Sequence, residues 1–409
     1  MISTSTEIII VGGGIVGLSL AYELLERKIS KNIIILDKEK ELGMHTSGRN
    51  SGVLHAGIYY KPDSLKANVC IKGGKRLKKW IKERSLSINE CGKIIIPTKK
   101  NLDPQLDLLH ARGKKNGAFV ELIDEKKLFA LEPNAYSSSG RALWSPSTAV
   151  VNPKEIMMQL EKELKENGVI FFKNEIIEKI SPKEKRIYTR TNNSYEYKYF
   201  FNCAGLQSDK IAHLCNVGKE YSILPFKGLY WKLKNNNKYK IKTNIYPVPD
   251  LSVPFLGVHF TPNADIYPNI YIGPTATFAF GRENYKLFKS IEPFMSMANL
   301  FTLSKQYLLN QNKFRNYVHD QSLQSFKPFF LKAAKKLVPS LQSNEIEMSD
   351  KSGIRAQLYN KKEKKLVEDF IYINSLDSTH ILNAVSPAFT SSFALADLII
   401  NSSTVINSL

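Results

Sequence analysis

The chain has 409 residues, 43% of them apolar, which is enough to bury a sizeable core in two or three domains and excludes a fibrous or disordered protein. Its 58 lysines and arginines outnumber 38 acids, giving a formal charge of +20 that favours anionic partners. The basic residues are dispersed, with no nucleic-acid motif among them, so DNA and RNA are not expected partners.

At the amino terminus, MISTSTEIIIVGGG has neither the basic start nor the long apolar run of a signal peptide. No stretch reaches bilayer-spanning length, so the expected protein is cytoplasmic, with any membrane contact peripheral and at the inner face of the cell membrane. Cys70, Cys91, Cys203 and Cys215 are widely spaced and form no CxxC, which points to reduced thiols rather than a disulfide framework or a zinc site; no metal is expected. Residues 7–11 predict a buried strand, 15–28 a helix and 32–36 a second strand, together a β-α-β unit. Residues 66–85 carry helical spacing with lysines on the outer face, 91–97 read as a strand and 104–116 as a helix. Loop and strand follow over 137–151, a helix over 153–167, and strands over 169–172 and 195–203. The aromatic, proline-punctuated stretch 224–272 has the pattern of an antiparallel sheet. Residues 288–341 are largely helical, 370–373 and 380–383 are strands, and 391–401 form a closing helix. Dinucleotide-type pieces thus sit at the start, the middle and the end. The expected class is α/β, with a discontinuous Rossmann-type domain (1–85, 140–220 and 345–409) and an inserted antiparallel-sheet α+β substrate domain (86–139 and 221–344).

The strongest local motif is IIIVGGGIVGLSLAYELL. Gly12, Gly14 and Gly17 give G-x-G-x-x-G between a strand and a helix: the first for a tight turn, the second for close approach of a pyrophosphate, the third for helix–strand packing. Phosphates would sit on free amides at the helix start. Asp37, twenty residues after Gly17, is placed to accept ribose hydroxyls.

FAD and NAD share this fingerprint, and the next segment separates them. In MHTSGRNSGVLHAGIYY the small residues Gly48, Ser51, Gly52, Ala56 and Gly57 let backbone approach a flat ring system. The stretch resembles the flavin-lining segment of the D-amino-acid-oxidase superfamily. That resemblance implies FAD, held at Gly12, Gly14, Gly17, Asp37, Lys38, Ser47, Arg49, Asn50, Ser51 and Gly52. It also implies a backbone contact to adenine at Ile176, and Ala204 and Gly205 of FNCAGLQSD near the pyrophosphate. Ser386, Pro387, Ala388 and Thr390 of NAVSPAFTSS would face the pyrimidine edge of the flavin, where amides and a helix dipole stabilise negative charge.

NSGVLHAGIYYKPDSLKA, NIYPVPDLSVPFLGVHFTP, GPTATFAFGRENY and SGIRAQ with the later LVEDF resemble, more narrowly, the L-2-hydroxyglutarate dehydrogenase/oxidase family. With the pieces above they run in that family's order from Glu7 to Ser392. The resemblance implies oxidation of an L-2-hydroxy acid, L-2-hydroxyglutarate to 2-oxoglutarate. Hydride passes to the flavin, a base takes the hydroxyl proton, and electrons go on to a quinone, oxygen or another acceptor. A base working near neutral pH points to histidine, with His55 and His259 the candidates, whereas His45 and His380 read as structural. A small anionic substrate needs cations and donors: Arg355, placed by a Gly-Ile-Arg turn, then Arg282, Lys227, Tyr59 and Tyr246. The chain departs from the family's usual residues at Arg49, Lys227, Gly281, Val385 and Phe389. Two further enzymatic readings are an amine or amino-acid oxidase of the same superfamily and an oxidase of another hydroxy or sugar acid. A non-enzymatic reading is a flavin-bearing scaffold recruited to membranes through the basic amphipathic segment 326–338.

Overall fold

The computed structural model describes residues 3–234, 239–249, 257–265, 269–286, 289–310 and 314–409. Part of the distinctive stretch 244–262, and short pieces of the helical region expected over 288–341, lie outside these residues. In chain order, the elements that position the site are β1 (Ser3–Val11), α1 (Ile15–Glu26), β2 (Ile33–Leu36), α2 (Leu65–Glu83), β3 (Lys93–Ile96), β4 (Ser194–Asn202) and β5 (Tyr221–Leu233). They continue with β6 (Asn244–Pro247), β7 (His259–Pro262), α3 (Pro293–Leu309), α4 (Lys327–Lys335), β8 (Ile346–Asn360), β9 (Ser378–Asn383) and α5 (Ala388–Ser402).

The β-branched run Ile8–Val11 of β1 and all of β2 are buried, as parallel strands covered on both faces must be. β1 pairs in parallel with β2 (Val11 opposite Leu36) and with β4 (Val11 opposite Asn202). β4 pairs in turn with β9 (Asn202 opposite His380). The eight-stranded sheet is completed by Ile170–Phe172 beside β2, the hairpin Ile177–Ser181 and Arg186–Thr189 beside β4, and Ile371–Ser375 beside β9. Its parallel strands bring Val11, Leu36, Asn202 and Asn383 to one edge, where open α/β sheets bind ligands. The Phe393 ring of α5 lies 5.1 Å from Tyr22 of α1 and 5.9 Å from Trp80 of α2, which ties the last helix to the first two.

Among the described residues the second sheet has ten strands and is mostly antiparallel. β5 and β8 pair from Tyr221 opposite Asn360 to Leu233 opposite Ile346, with one irregularity after Leu229. β7 and β6 follow across the sheet, and β6 pairs in parallel with β3. Phe330 of α4 packs on Trp231 of β5, with ring centroids 5.5 Å apart.

Two expected boundaries move. Residues 345–409 were assigned to the dinucleotide domain, but β8 belongs to the second sheet, as does Ala142–Ser145. The first half of β8, IEMSDKS, is mostly charged or small and polar, with only Ile346 and Met348 apolar, and carries little strand signal of its own. Its pairing with β5, distant in sequence, supplies what local propensity lacks. Ala149–Val151 joins neither large sheet and instead bridges Val53–Leu54 and Ile88–Asn89. Among the described residues no helix is long and apolar enough to cross a membrane.

Candidate active site

The loops leaving β1, β2, β4 and β9 open on one continuous cavity of about 760 Å³. Gly12 turns there with φ +108°, and a Cβ on it would lie 2.5 Å from the Cys203 carbonyl oxygen, so a side chain is excluded. A Cβ on Gly17 would lie 2.1 Å from the Gly12 oxygen; its absence lets α1 close against the turn. Asp37 braces this turn: Oδ2 accepts the Gly13 amide at 2.7 Å and Oδ1 the Glu39 amide at 2.9 Å. Burial pushes the Asp37 carboxyl up, partly opposed by those two amides. Each of its oxygens keeps a lone pair for a ribose hydroxyl. Ser47 Oγ accepts the Ile15 amide at 2.9 Å and so fastens the following loop to the start of α1.

Gly14, Ile15 and Val16 line the cavity at the start of α1, whose first-turn amides have no intrahelical acceptors. Ser386, Pro387, Ala388 and Thr390 line it at the start of α5, which likewise has no side-chain cap. Two helix N-termini therefore open on one cavity. These residues fit FAD: a side-chain-free turn and helix end for the pyrophosphate, Asp37 for the ribose, Ile176 towards one end and a second helix terminus towards the other.

The other part of the cavity is walled by side chains. His55 follows Val53–Leu54; its Nε2 lies 3.2 Å from Ser386 Oγ, and its buried Nδ1 has no hydrogen-bond partner among the described residues. Burial, with the charges of Lys93 and His259, holds His55 well below the usual histidine range. His259 opens β7, and its Nδ1 lies 2.9 Å from the Gly257 carbonyl, an arrangement that puts the proton on Nδ1 and the lone pair on Nε2. Burial depresses His259 to about 3, against the opposing Gly257 bond. Its ring stacks on Tyr246 at 3.8 Å between centroids. Arg355 is not on a turn, as the sequence suggested, but midway along β8 opposite Phe226, with Nε donating to Gln357 Oε1 at 3.1 Å. Lys227 of β5 is buried, and that burial lowers its ammonium. Both histidines are neutral near pH 7, the state a proton acceptor requires.

Of the sequence candidates, Lys38, Ser47, Arg49, Asn50, Ser51, Ile176, Ala204, Gly205, Tyr246 and Lys227 all line the cavity. Gly17 and Gly52 lie behind it: Gly17 packs α1, and the Gly52 carbonyl accepts the Val151 amide at 2.9 Å. Arg282 corrects the sequence reading. It is 4% exposed, its fork grips both carboxylate oxygens of Asp209, and Nη1 reaches the Leu206 carbonyl at 2.5 Å, so both Nη groups are held by acceptors of the protein itself. Burial alone would raise the Asp209 carboxyl, but this fork holds it below the usual range. Tyr59 also lies off the cavity, its buried hydroxyl without a hydrogen-bond partner among the described residues. A side chain at Gly281 would meet the Ser290 carbonyl at 2.0 Å, which accounts for glycine at that departure. Arg49 stacks 4.2 Å over the Tyr285 ring and donates to the Met44 carbonyl. Glu39, His45 and Glu283 converge closely enough for a metal, yet the Lys38 ammonium already lies among them, 2.8 Å from Glu283 and 3.0 Å from His45 Nε2. Tyr230 lines the cavity too, and Thr275 and Gln321 also line it but carry no sequence signal. Gln321 Oε1 accepts the Ala276 amide at 2.9 Å.

A parallel sheet with a glycine turn at its carboxyl edge, opening towards buried histidines and basic side chains, defines a flavin-dependent oxidoreductase. The chain belongs to the FAD dependent oxidoreductase family, whose model matches residues 7–401, and its cofactor is FAD. It is 36% identical to the mitochondrial L-2-hydroxyglutarate dehydrogenase of Caenorhabditis briggsae over 406 residues, 96% of this chain and 92% of that protein. It is 35% identical to the L-2-hydroxyglutarate dehydrogenase of Indibacter alkaliphilus over 396 residues, 95% of this chain and 96% of the relative. The fold is shared with the FAD-bound L-alpha-glycerophosphate oxidase of Mycoplasma pneumoniae, at a TM-score of 0.74 and 22% identity, covering 98% of this chain and 95% of that one.

Proposed function

We propose that the protein oxidises L-2-hydroxyglutarate to 2-oxoglutarate. The observation that carries this reading is likeness along almost the whole chain to dehydrogenases named for that substrate, joined to a cavity with basic residues and neutral histidines in one wall. FAD, when bound, supplies the two-electron acceptor. Arg355 and Lys227 hold the substrate carboxylates, and Tyr246 closes the side of the site. His259 Nε2 takes the hydroxyl proton, because its tautomer is set by Gly257; His55 stands beside Ser386 as the second candidate base. In this reading the first sheet carries the cofactor and the second, including β8, the substrate. An anaerobic titration tests it: L-2-hydroxyglutarate should bleach the flavin with stoichiometric 2-oxoglutarate, and the D isomer should not. Bleaching by glycine or sarcosine alone would select the amine-oxidase reading.

The electron acceptor in this reading is a quinone held in an anionic bilayer at the inner face of the cell membrane, and α3 is the docking face. Phe294, Met297, Phe301 and Leu308 recur on one side of α3 and are 90%, 70%, 76% and 71% exposed. The helix contains no acid, and from residue 286 to 340 nine lysines and arginines face only Glu292 and Asp320 in the sequence. That charge repels a second copy and attracts anionic lipid. The segment 326–338 suits this role less, because Phe330 and Ala334 of α4 are committed to the core. The purified protein should sediment with phosphatidylglycerol-containing vesicles and not with phosphatidylcholine alone. Serine at Phe294 and Phe301 should release it, and retention of that double variant would exclude α3.

A further inference from the structure

Lys93, on β3, is the most deeply buried lysine among the described residues, at 1% exposure. Its backbone is fixed between Asn244 of β6 and Ser145. Its ammonium lies 4.9 Å from the Tyr59 ring centroid and 4.7 Å from that of Tyr246. Tyr246 stacks on His259, and both line the cavity, so Lys93 stands one ring behind the cavity wall. The titratable groups around it are Tyr59 and His55 after Val53–Leu54, Cys70 on α2, Cys91 before β3, Tyr246 on β6 and His259 on β7. None is a carboxylate, and among the described residues no Asp or Glu pairs with Lys93. A buried charge without a counter-ion is strongly disfavoured, and two ring faces offset that only in part. The fold therefore holds a cation whose partner is not in the described protein, beside a cavity built for an anion.

We propose that Lys93 is a specificity residue: acting through the Tyr246–His259 wall, its charge selects ligands with a second negative charge at that end of the cavity, and so favours a dicarboxylate over a monocarboxylate. The inference rests on the hydroxy-acid reading above and adds how that substrate class is chosen. Lys93 touches no ligand; it sets the potential in which the ligand binds. Burial lowers its ammonium to about 8. The charge is thus present below that pH and lost above it, and dianion affinity should fall as pH rises through about 8.

The test uses the FAD-loaded protein, titrated with 2-oxoglutarate and with the monocarboxylate 2-oxobutyrate across that pH range. Binding is read from the perturbed flavin spectrum, without turnover. Lys93→Met should weaken 2-oxoglutarate binding about ten-fold and 2-oxobutyrate binding by less. Lys93→Arg should keep the neutral-pH affinity and abolish the alkaline fall. Equal weakening of both ligands by Lys93→Met, or none, overturns the proposal. Should that variant not fold, the wild type decides: a ratio of the two affinities that stays flat across pH 8 overturns it. A wild type that binds neither keto acid sinks the hydroxy-acid reading instead, and sulfate against chloride in the same titration then decides for Lys93.

Discussion

The two parts of the cavity are built by opposite means. The cofactor part is mostly backbone: a turn at Gly12 that no side chain fits, the start of α1, and a carboxylate, Asp37, that accepts hydrogen bonds in holding the turn. The substrate part is side chain: His259 and Tyr246 stacked on β7 and β6, Lys227 and Arg355 on the β5–β8 pair, and Lys93 behind them. A backbone cradle binds phosphate with no buried charge of its own. The side-chain wall buries the cations Lys227 and Lys93 at a desolvation cost that a bound anion would help to offset.

Variants should separate the two parts. The largest effect is expected from Gly12→Ala, whose Cβ would press on the Cys203 carbonyl at a positive φ; the purified protein should lack visible flavin absorbance, and a fully yellow Gly12→Ala protein would show that the turn is no cradle. Next comes the wall: replacing the true base, by His259→Gln or else His55→Gln, should lower kcat about 10²–10⁴-fold with the flavin retained. Because His259 is depressed to about 3, it stays neutral as pH falls from 7 and is lost as a base only near that value. The pH profile of kcat/KM should therefore show no limb near 6.5, and such a limb would exclude His259. Arg355→Ala should raise KM by about thirty-fold or more, with FAD still bound; an unchanged KM removes Arg355 from the substrate. The smallest catalytic effect is expected from Arg282→Met. It should cost about 3–5 kcal/mol of stability by stranding buried Asp209, and leave KM unaltered; a shifted KM would restore Arg282 to the site.

The same contrast explains what the sequence disclosed. The glycine turn, its strands and Asp37 lie within residues 7–37, so one contiguous segment states its own geometry. The wall had no such statement. Arg355 was found through a motif but placed on a turn, because β8 becomes a strand only by pairing with β5. Arg282 looked like a carboxylate fork and is one, but the carboxylate is Asp209 from the protein itself. Lys93 sits in KIII, a run that reads as plain core strand, and nothing local marks its ammonium as lying between two tyrosine rings.

The start of α5 shares its cavity with the turn that follows β1. The Gly12 turn is encoded at the start of the chain and packs against Cys203 from its middle, while the second helix end is encoded at residues 386–390. A ribosome paused before that point displays half a receptor. The receptor is thus closed by the two ends of the chain, and a chain that stops before residue 386 carries only one of its two helix ends.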